Sequence, residues 1–199
     1  MPAACRSLAL RAEDDEVTHA GPAAPDRTEV EDYIRAVFAD RHDARVPGFA
    51  PHLVAVRRDG RLVAAAGWRA AGEGPLFLEQ YLDAPIESAM HRLAEPPPVR
   101  SRIVEVGHLA ADRAGGSVRI ISALARELDA RGYEWVVFTA TRELVAIFAK
   151  LGLPLLALAE ADPARLGAGA AAWGRYYDAR PIVVAGRIRH ALDRLGKRP

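Results

Sequence analysis

The sequence predicts an α/β fold, a mixed sheet with helices on both faces, and three observations carry that reading. An Asp59-Gly60 turn sits between two β-rich runs, His52 to Arg57 and Arg61 to Trp68. This is the signature of a tight antiparallel hairpin, because Asp-Gly supplies the positive φ that such a turn demands. From residue 102 onward the rhythm changes to strand, helix, strand, helix, strand, at spacings that imply parallel neighbours and right-handed crossovers. The chain has 199 residues, half of them apolar. That length accommodates one compact domain with a sizeable core and leaves little room for a second.

The remaining elements follow in order. Residues 11 to 27 carry an acidic run (Glu13, Asp14, Asp15, Glu16) and then Gly21, Pro22 and Pro25, which reads as a loop after a short first strand. Thr28 with Glu31 three residues on is a capping-box pattern, and Val30, Ile34, Val37 and Phe38 share one helical face, so a helix is expected over about 28–41. Leu76 to Leu82 is a mixed apolar segment. Pro85 suits the first turn of a short helix that must end before Pro96, Pro97 and Pro98. Arg102 to Leu109 reads as a strand, followed by a helix from Ser117 to Arg131 with Val118, Ile121, Leu124, Ala125 and Leu128 inward and Gly132 as its stop. Trp135 to Phe138 is a continuous apolar run, as expected of a strand covered on both faces. Thr141 to Leu151 reads as a helix closed by Gly152, Leu155 to Ala159 as a strand, and Pro181 to Ile188 as the last strand. The expected organisation is an N-terminal strand and flexible loop (1–27), a single domain (28–188) and a C-terminal tail (189–199).

Bulk properties exclude several classes of function. Lys+Arg total 27 against 26 Asp+Glu, a net charge of +1, and no basic run is interleaved with aromatics, so nucleic acid is not an expected partner. The single cysteine, Cys5, allows neither a disulfide framework nor a thiolate metal site, and no metal is expected. No apolar stretch approaches the roughly 20 residues that span a bilayer, and Leu8 to Leu10 is too short for the core of a signal peptide. The expectation is a cytoplasmic protein without a transmembrane segment.

Chemistry concentrates in the strand near residue 105. Glu105 interrupts the run Ile103-Val104-Glu105-Val106-Gly107, and a carboxylate in the middle of a central strand has to be desolvated, paired or functional. Gly107, inside the same strand, signals a bulge or the close approach of another backbone. On a regular strand Glu105 and His108 point to opposite faces, whereas one inserted residue brings both toward one cleft. The turn from Ala111 through Gly115, Gly116 and Ser117 leads into a helix, whose amides form a natural anion site. Glu79, Gln80 and Tyr81 form a polar cluster that is either a solvated face or part of a site. Trp173, Tyr176 and Tyr177 either line a pocket or cover the sheet edge.

The segments Phe77 to Asp83, Ile103 to Ala110, Trp135 to Thr141 and Trp173-Gly174-Arg175-Tyr176-Tyr177 resemble, in series, the bacterial family called thermostable hemolysin. The likeness runs from about residue 30 to 188. That family is similar in fold to the GNAT acyltransferases, and more closely to the acyl-homoserine-lactone synthases, which take acyl chains from acyl carrier protein. The resemblance implies a GNAT-like fold, with the N-terminal antiparallel hairpin joined to a C-terminal βαβ unit, and thioester-dependent N-acyl transfer. The synthases carry Glu-x-Ser-Arg-Phe where this chain has Glu105-Val106-Gly107-His108-Leu109. The glutamate matches, and Gly107 and His108 replace the Ser-Arg pair. The superfamily's phosphate loop is met by Arg113 and Gly116, with Val118 in its last position, which leaves coenzyme A and acyl carrier protein as alternative donors. Neither is a tightly bound cofactor; each is a co-substrate.

On this reading Glu105 takes the proton of an amine acceptor, with His108, Tyr176 and Tyr177 as further catalytic candidates. Val106, Gly107, Arg113, Gly115, Gly116 and Ser117 are expected to hold the donor, and Glu79, Gln80, Tyr81, Thr139, Thr141 and Trp173 the substrate. Arg113, Arg119 and Arg126 are the expected docking cations for an acidic carrier protein. The alternatives are a membrane-active hemolytic protein and a catalytically inactive GNAT-like binding module.

Overall fold

A computed structural model describes residues 15–91, 93–112 and 114–196 of the chain. Its centre is a seven-stranded sheet. In chain order the strands are β1 (Asp15–Ala20), β2 (His52–Arg58), β3 (Arg61–Ala70), β4 (Ile103–Ala111), β5 (Trp135–Ala140), β6 (Leu156–Glu160) and β7 (Ile182–Arg187). Their spatial order is β1-β2-β3-β4-β5-β7-β6. Only β4 and β5 run parallel; every other neighbouring pair is antiparallel. The helices are α1 (Arg27–His42), α2 (Ile86–Met90), α3 (Ala114–Ala130), α4 (Arg142–Leu151) and α5 (Ile188–Leu195). The mixed sheet is therefore as expected, and so is the hairpin: Asp59 and Gly60 both take positive φ, 50° and 74°, the conformation a two-residue turn between twisted strands requires.

Strand alternation divides the core into two faces. Val104 and Val106 of β4, Phe138 of β5 and Val184 of β7 pack with Ile120, Ile121, Leu124 and Leu128 of α3 and Phe148 of α4. On the other face, Ala55, Ala65 and Ala110 meet Val30, Ile34 and Phe38 of α1. Further along that face Ile103, Trp135, Val137, Val183 and Ala185 are covered by Leu76, Leu78, Tyr81, Ile86, Met90 and Ala94. The inward stripe of α3 is wider than expected, since Ile120 and Ala123 are buried too while Val118 is only half-buried.

Four local expectations are corrected. Asp15 to Ala20, placed in a loop by their acidity, form β1. The strand pairs with β2, and Asp15 reaches Arg58 (3.0 Å) and Arg119, so cross-strand and helix partners neutralise the charge. The helix near 28 begins one residue earlier, and Asp26, at its N-cap, makes no side-chain bond. Glu31 pairs instead with Arg27 (2.8 Å) and Arg35 (3.0 Å), and Arg27 also ties the helix start to the carbonyls of Ala50 and Pro51. The second strand-helix-strand step does not create parallel neighbours, because β7 inserts between β5 and β6. β7 is buried at its four central residues whereas β6 is half-exposed throughout, so the more apolar strand takes the inner place. Residues 188–195, expected mostly as tail, form α5, whose buried Ile188 and part-buried Ala191 and Leu195 complete the core beside α3. Residues 1–14 and 197–199 lie outside the described residues.

Candidate active site

β4 and β5 stay paired for only three residues, Ile103↔Trp135, Val104↔Val136 and Glu105↔Val137. Beyond Glu105 each strand follows its other neighbour, β4 with β3 and β5 with β7, and the two diverge. The backbone edge of Val106 to Leu109 that faces β5 is left without a ladder partner. A cavity of about 730 Å³ occupies this wedge. Glu105 to Leu109 and Phe138 to Thr139 form its floor, and Leu144 and Ile147 of α4 one wall. Phe38, Arg41 and His42 of α1 with residues 47–50 form another, and Phe77, Tyr81, Trp173, Tyr176 and Tyr177 close it.

A bulge in β4 puts Glu105 and His108 into the same space. Ala65 pairs with Ala110 and Gly67 with Gly107, so His108 and Leu109 together face the single residue Ala66, which is the two-against-one pattern of a bulge. His108 is the residue that absorbs it, at φ 55°, a conformation in which histidine is several-fold enriched. Its ring lies 5.3 Å from that of Phe49, 6.4 Å from Phe38 and 6.5 Å from Trp173. Gly107 is not the bulged residue. A Cβ built there meets nothing within 4 Å, so this glycine widens the cavity floor and answers to no packing demand.

Glu105 is 7% exposed. Its two oxygens accept from the backbone N–H groups of Phe77 (2.8 Å) and Leu78 (2.9 Å), and Arg69 approaches to 3.5 Å. Burial lifts its carboxyl above the usual glutamate range; the two amides and Arg69 oppose that rise without cancelling it. The carboxylate thus has two jobs open to it, holding the turn that carries Phe77 and Tyr81 and presenting its remaining lone pairs to the cavity. His108 is held down to about 4 by burial, with Arg69 adding to the effect, so its imidazole is neutral near pH 7. Its Nδ1 is buried without a partner. Burial raises Tyr81, Tyr176 and Tyr177 above the ordinary phenol value, keeping all three protonated. Tyr81 and Tyr177 share a 2.6 Å hydrogen bond, and the Tyr176 hydroxyl donates to the carbonyl of Thr139 at 3.3 Å.

Of the residues singled out from sequence, the cavity gathers Glu105, Val106, Gly107, His108, Ser117, Tyr81, Thr139, Thr141, Trp173, Tyr176 and Tyr177. Glu79 does not reach it. That carboxylate accepts from the amides of Leu76 and Ile86 and pairs with Arg100 at 2.6 Å. Burial works against its ionisation, but Arg100 and the amides outweigh it and hold the group at about 2. Glu79 is a structural anchor for residues 76–86, and Gln80 folds back onto the Phe77 carbonyl at 3.0 Å. Gly115 and Gly116 do not line the cavity either. A Cβ on Gly116 would come 2.9 Å from the Val63 carbonyl, so that glycine lets α3 lie close on β3. Arg113 lies outside the described residues. Arg119 pairs with Asp15, and Arg126, exposed on α3, donates to Ser122 at 2.9 Å.

Among the cavity residues missed from sequence are Arg69, Arg41, His42, Glu143, Phe38, Phe49 and Phe77. Arg69 sits opposite Glu105 in the β3–β4 register, which no local pattern announces. Two loops lock the cavity's rim: the Arg45 amide donates to the Ala172 carbonyl (2.6 Å) and the Arg175 amide to the His42 carbonyl (2.7 Å). Among the described residues no group of three or more His, Cys, Asp or Glu is placed to hold a metal ion. No described helix is long and apolar enough to cross a membrane.

An open mixed sheet whose central parallel pair splays around a cavity, with helices on both faces, is the GNAT-like acyltransferase fold. It is shared with the acyl-homoserine-lactone (AHL) synthase LasI, at TM-score 0.60 and 13% identity over 87% of this chain and 90% of that one. TofI in an apo form superposes at TM-score 0.64 and 15% identity, covering 92% and 98%. FeeM, an N-acyl amino acid synthase from uncultured soil microbes, superposes at 0.56 and 9% identity, covering 90% and 95%. A sequence search of curated proteins finds no match. The chain belongs to the thermostable hemolysin family, whose profile matches residues 20–192.

Proposed function

We propose that the protein is an N-acyltransferase that moves an acyl group from a thioester, carried by acyl carrier protein or coenzyme A, to an amine. One observation carries this reading: β4 and β5 part immediately after Glu105, leaving an unpaired strand edge beside a buried carboxylate in one cavity. An unpaired edge accepts an extended amide-bearing chain by the same bonds that add a strand to a sheet, and a pantetheine arm carries two amides in series. The fold is shared with proteins described as AHL synthases and as an N-acyl amino acid synthase, and this supports the reading.

In the proposed course the pantetheine arm lies along Val106 to Leu109 with its carbonyl near Gly107, and the acyl chain runs among Leu109, Phe138, Leu144 and Ile147. The acceptor enters beside Glu105. An ammonium does not attack; it first gives one proton to Glu105, whose burial makes it a stronger base than an exposed glutamate. The amine nitrogen then bonds to the thioester carbon, and backbone N–H groups of the open β4 edge receive the developing oxyanion. When the C–S bond breaks, a tyrosine hydroxyl of the Tyr176–Tyr177 pair gives its proton to the leaving thiolate and takes the second amine proton in return. The products are amide, free thiol and one proton released from Glu105.

The test is thiol release from long-chain acyl-coenzyme A and acyl carrier protein in the presence of amines, with the amide identified by mass spectrometry. Amine-dependent thiol release is expected with at least one donor. Release of thiol at the same rate without any amine, or none with either donor, overturns the proposal.

A further inference from the structure

Arg69 is a cavity-lining cation held by a single long ion pair. It stands opposite Glu105 in the β3–β4 register and lines the same cavity. Its side chain is 32% exposed, and among the described residues its partner is Glu105 alone, at 3.5 Å through Nε. That distance is an ion pair without a good hydrogen bond. A guanidinium carries five N–H donors in a planar fork suited to a carboxylate. Each oxygen of Glu105 accepts one backbone N–H, from Phe77 or Leu78, which denies Arg69 a bidentate face and leaves each oxygen a further lone pair. The other cavity arginine, Arg41, lies on α1 and donates to the Ala111 carbonyl.

A carboxylate and a guanidinium side by side, each with capacity to spare, complement a ligand that carries ammonium and carboxylate on neighbouring atoms. Beyond this pair the cavity changes character. Phe77 lies 5.7 Å from Trp173, Trp173 6.3 Å from Phe38, and His108, neutral, sits among Phe38, Phe49 and Trp173. An aromatic box of this kind takes a flat apolar group and, having no charge of its own, offers little to a hydrophilic one.

We infer that the acceptor is a large apolar α-amino acid, its ammonium on Glu105, its carboxylate on Arg69 and its side chain in the box formed by Phe38, Phe49, Phe77 and Trp173. This deepens the N-acyltransferase reading and rests on it for the chemistry: the C–N bond forms at the α-amine and the C–S bond breaks as above, while the carboxylate stays bound to Arg69 unchanged. Arg69 touches the substrate and sets which amines are accepted; it moves no proton.

The experiment compares phenylalanine, phenylalanine amide and phenethylamine as acceptors, in the full-length protein and in Arg69→Gln. Wild-type kcat/KM for phenylalanine should exceed that for phenethylamine by about 10- to 100-fold, the worth of a charge-assisted carboxylate contact. The amide should fall with phenethylamine, since it keeps the shape and lacks the charge. In Arg69→Gln the preference should shrink to within about threefold, whatever the residual rate, because a ratio of specificity constants is unaffected by the fraction of folded enzyme. Calorimetric titration of each acceptor without donor provides a second readout that needs no turnover. Phenylalanine binding to wild type and not to Arg69→Gln supports the inference even if no acyl transfer is seen, in which case only the catalytic reading fails. Equal use of phenylalanine and phenethylamine by the wild type, or a preference that survives Arg69→Gln, overturns it, as does absence of phenylalanine binding and acylation together.

Discussion

Glu105→Gln separates the two jobs the structure gives this carboxylate, and the expected size of each effect follows from its contacts. As a base, a positioned carboxylate is worth roughly 10²- to 10⁴-fold in rate, and Gln has no basicity to replace it. As an anchor, Glu105 accepts from Phe77 and Leu78 at 2.8 and 2.9 Å. The amide of Gln offers one oxygen and sets its own N–H₂ against the other backbone donor. Leaving one buried N–H unpaired costs about 1–3 kcal/mol, partly offset because a buried charge is removed. For a chain of this size that lowers Tm by roughly 2–12 °C, at about 2–4 °C per kcal/mol, and leaves the protein folded at 25 °C. Circular dichroism, a melting curve and thiol release measured well below the melt therefore read two independent quantities. In the wild type the rate should fall as pH drops through a value above the usual glutamate pKa of about 4.3, because burial raises this group. The variant should lack that acidic limb. A folded Glu105→Gln protein with wild-type turnover and an unchanged limb would falsify the role of Glu105 as base and leave it as an anchor alone.

Three further outcomes are expected. Burial holds His108 at about 4, below its unfolded value of about 6.5, so the unfolded chain binds the proton first and the fold loses stability as pH falls from about 6.5 to 4. His108→Asn, chosen because Asn tolerates positive φ, should remove a pH-dependent loss on the order of 2–3 kcal/mol, read as the wild-type-minus-variant difference in denaturant unfolding at each end of that window; parallel pH profiles would sink the assignment. Gly174 has φ 52° and a Cβ there would strike the carbonyls of His42 and Asp43, so Gly174→Ala should cost more than about 1–2 kcal/mol. It should also raise the acceptor KM and open the 163–177 segment to protease, and a variant with wild-type melting and KM would show that the clasp does not matter. Hemolysis, if the chain causes it, should come from the acylated product, an amphiphile that gains about 0.8 kcal/mol per buried methylene in a membrane. Erythrocytes should survive pure lipid-free protein and lyse with an organic extract of expressing cells. Lysis by the pure protein that Glu105→Gln preserves would point to a membrane-active protein instead.

Read alone, the sequence determined whatever depends on short-range chemistry. The Asp59-Gly60 turn needs only two positive φ values, and α4 needs only Thr141 before it and Gly152 after it, where they serve as side-chain cap and left-handed stop. The bulge that turns Glu105 and His108 to one side was legible for a related reason: strand alternation is strict, so an acid and a histidine three apart share a face only if a residue is inserted. Charge misled where its partner was remote. Asp15 read as loop until Arg58 and Arg119 reached it, and Glu79 read as a site residue although Arg100 and two amides consume it. The insertion of β7 between β5 and β6 was beyond local patterns, because an apolar run reports that a strand is buried and not which neighbour buries it. The same limit hid Arg69 and the aromatic box. Phe38, Phe49, Phe77 and Trp173 lie up to 135 positions apart in the chain, each looks like ordinary core by itself, and only the packing of α1 and two loops over the splayed strands makes them walls of one cavity.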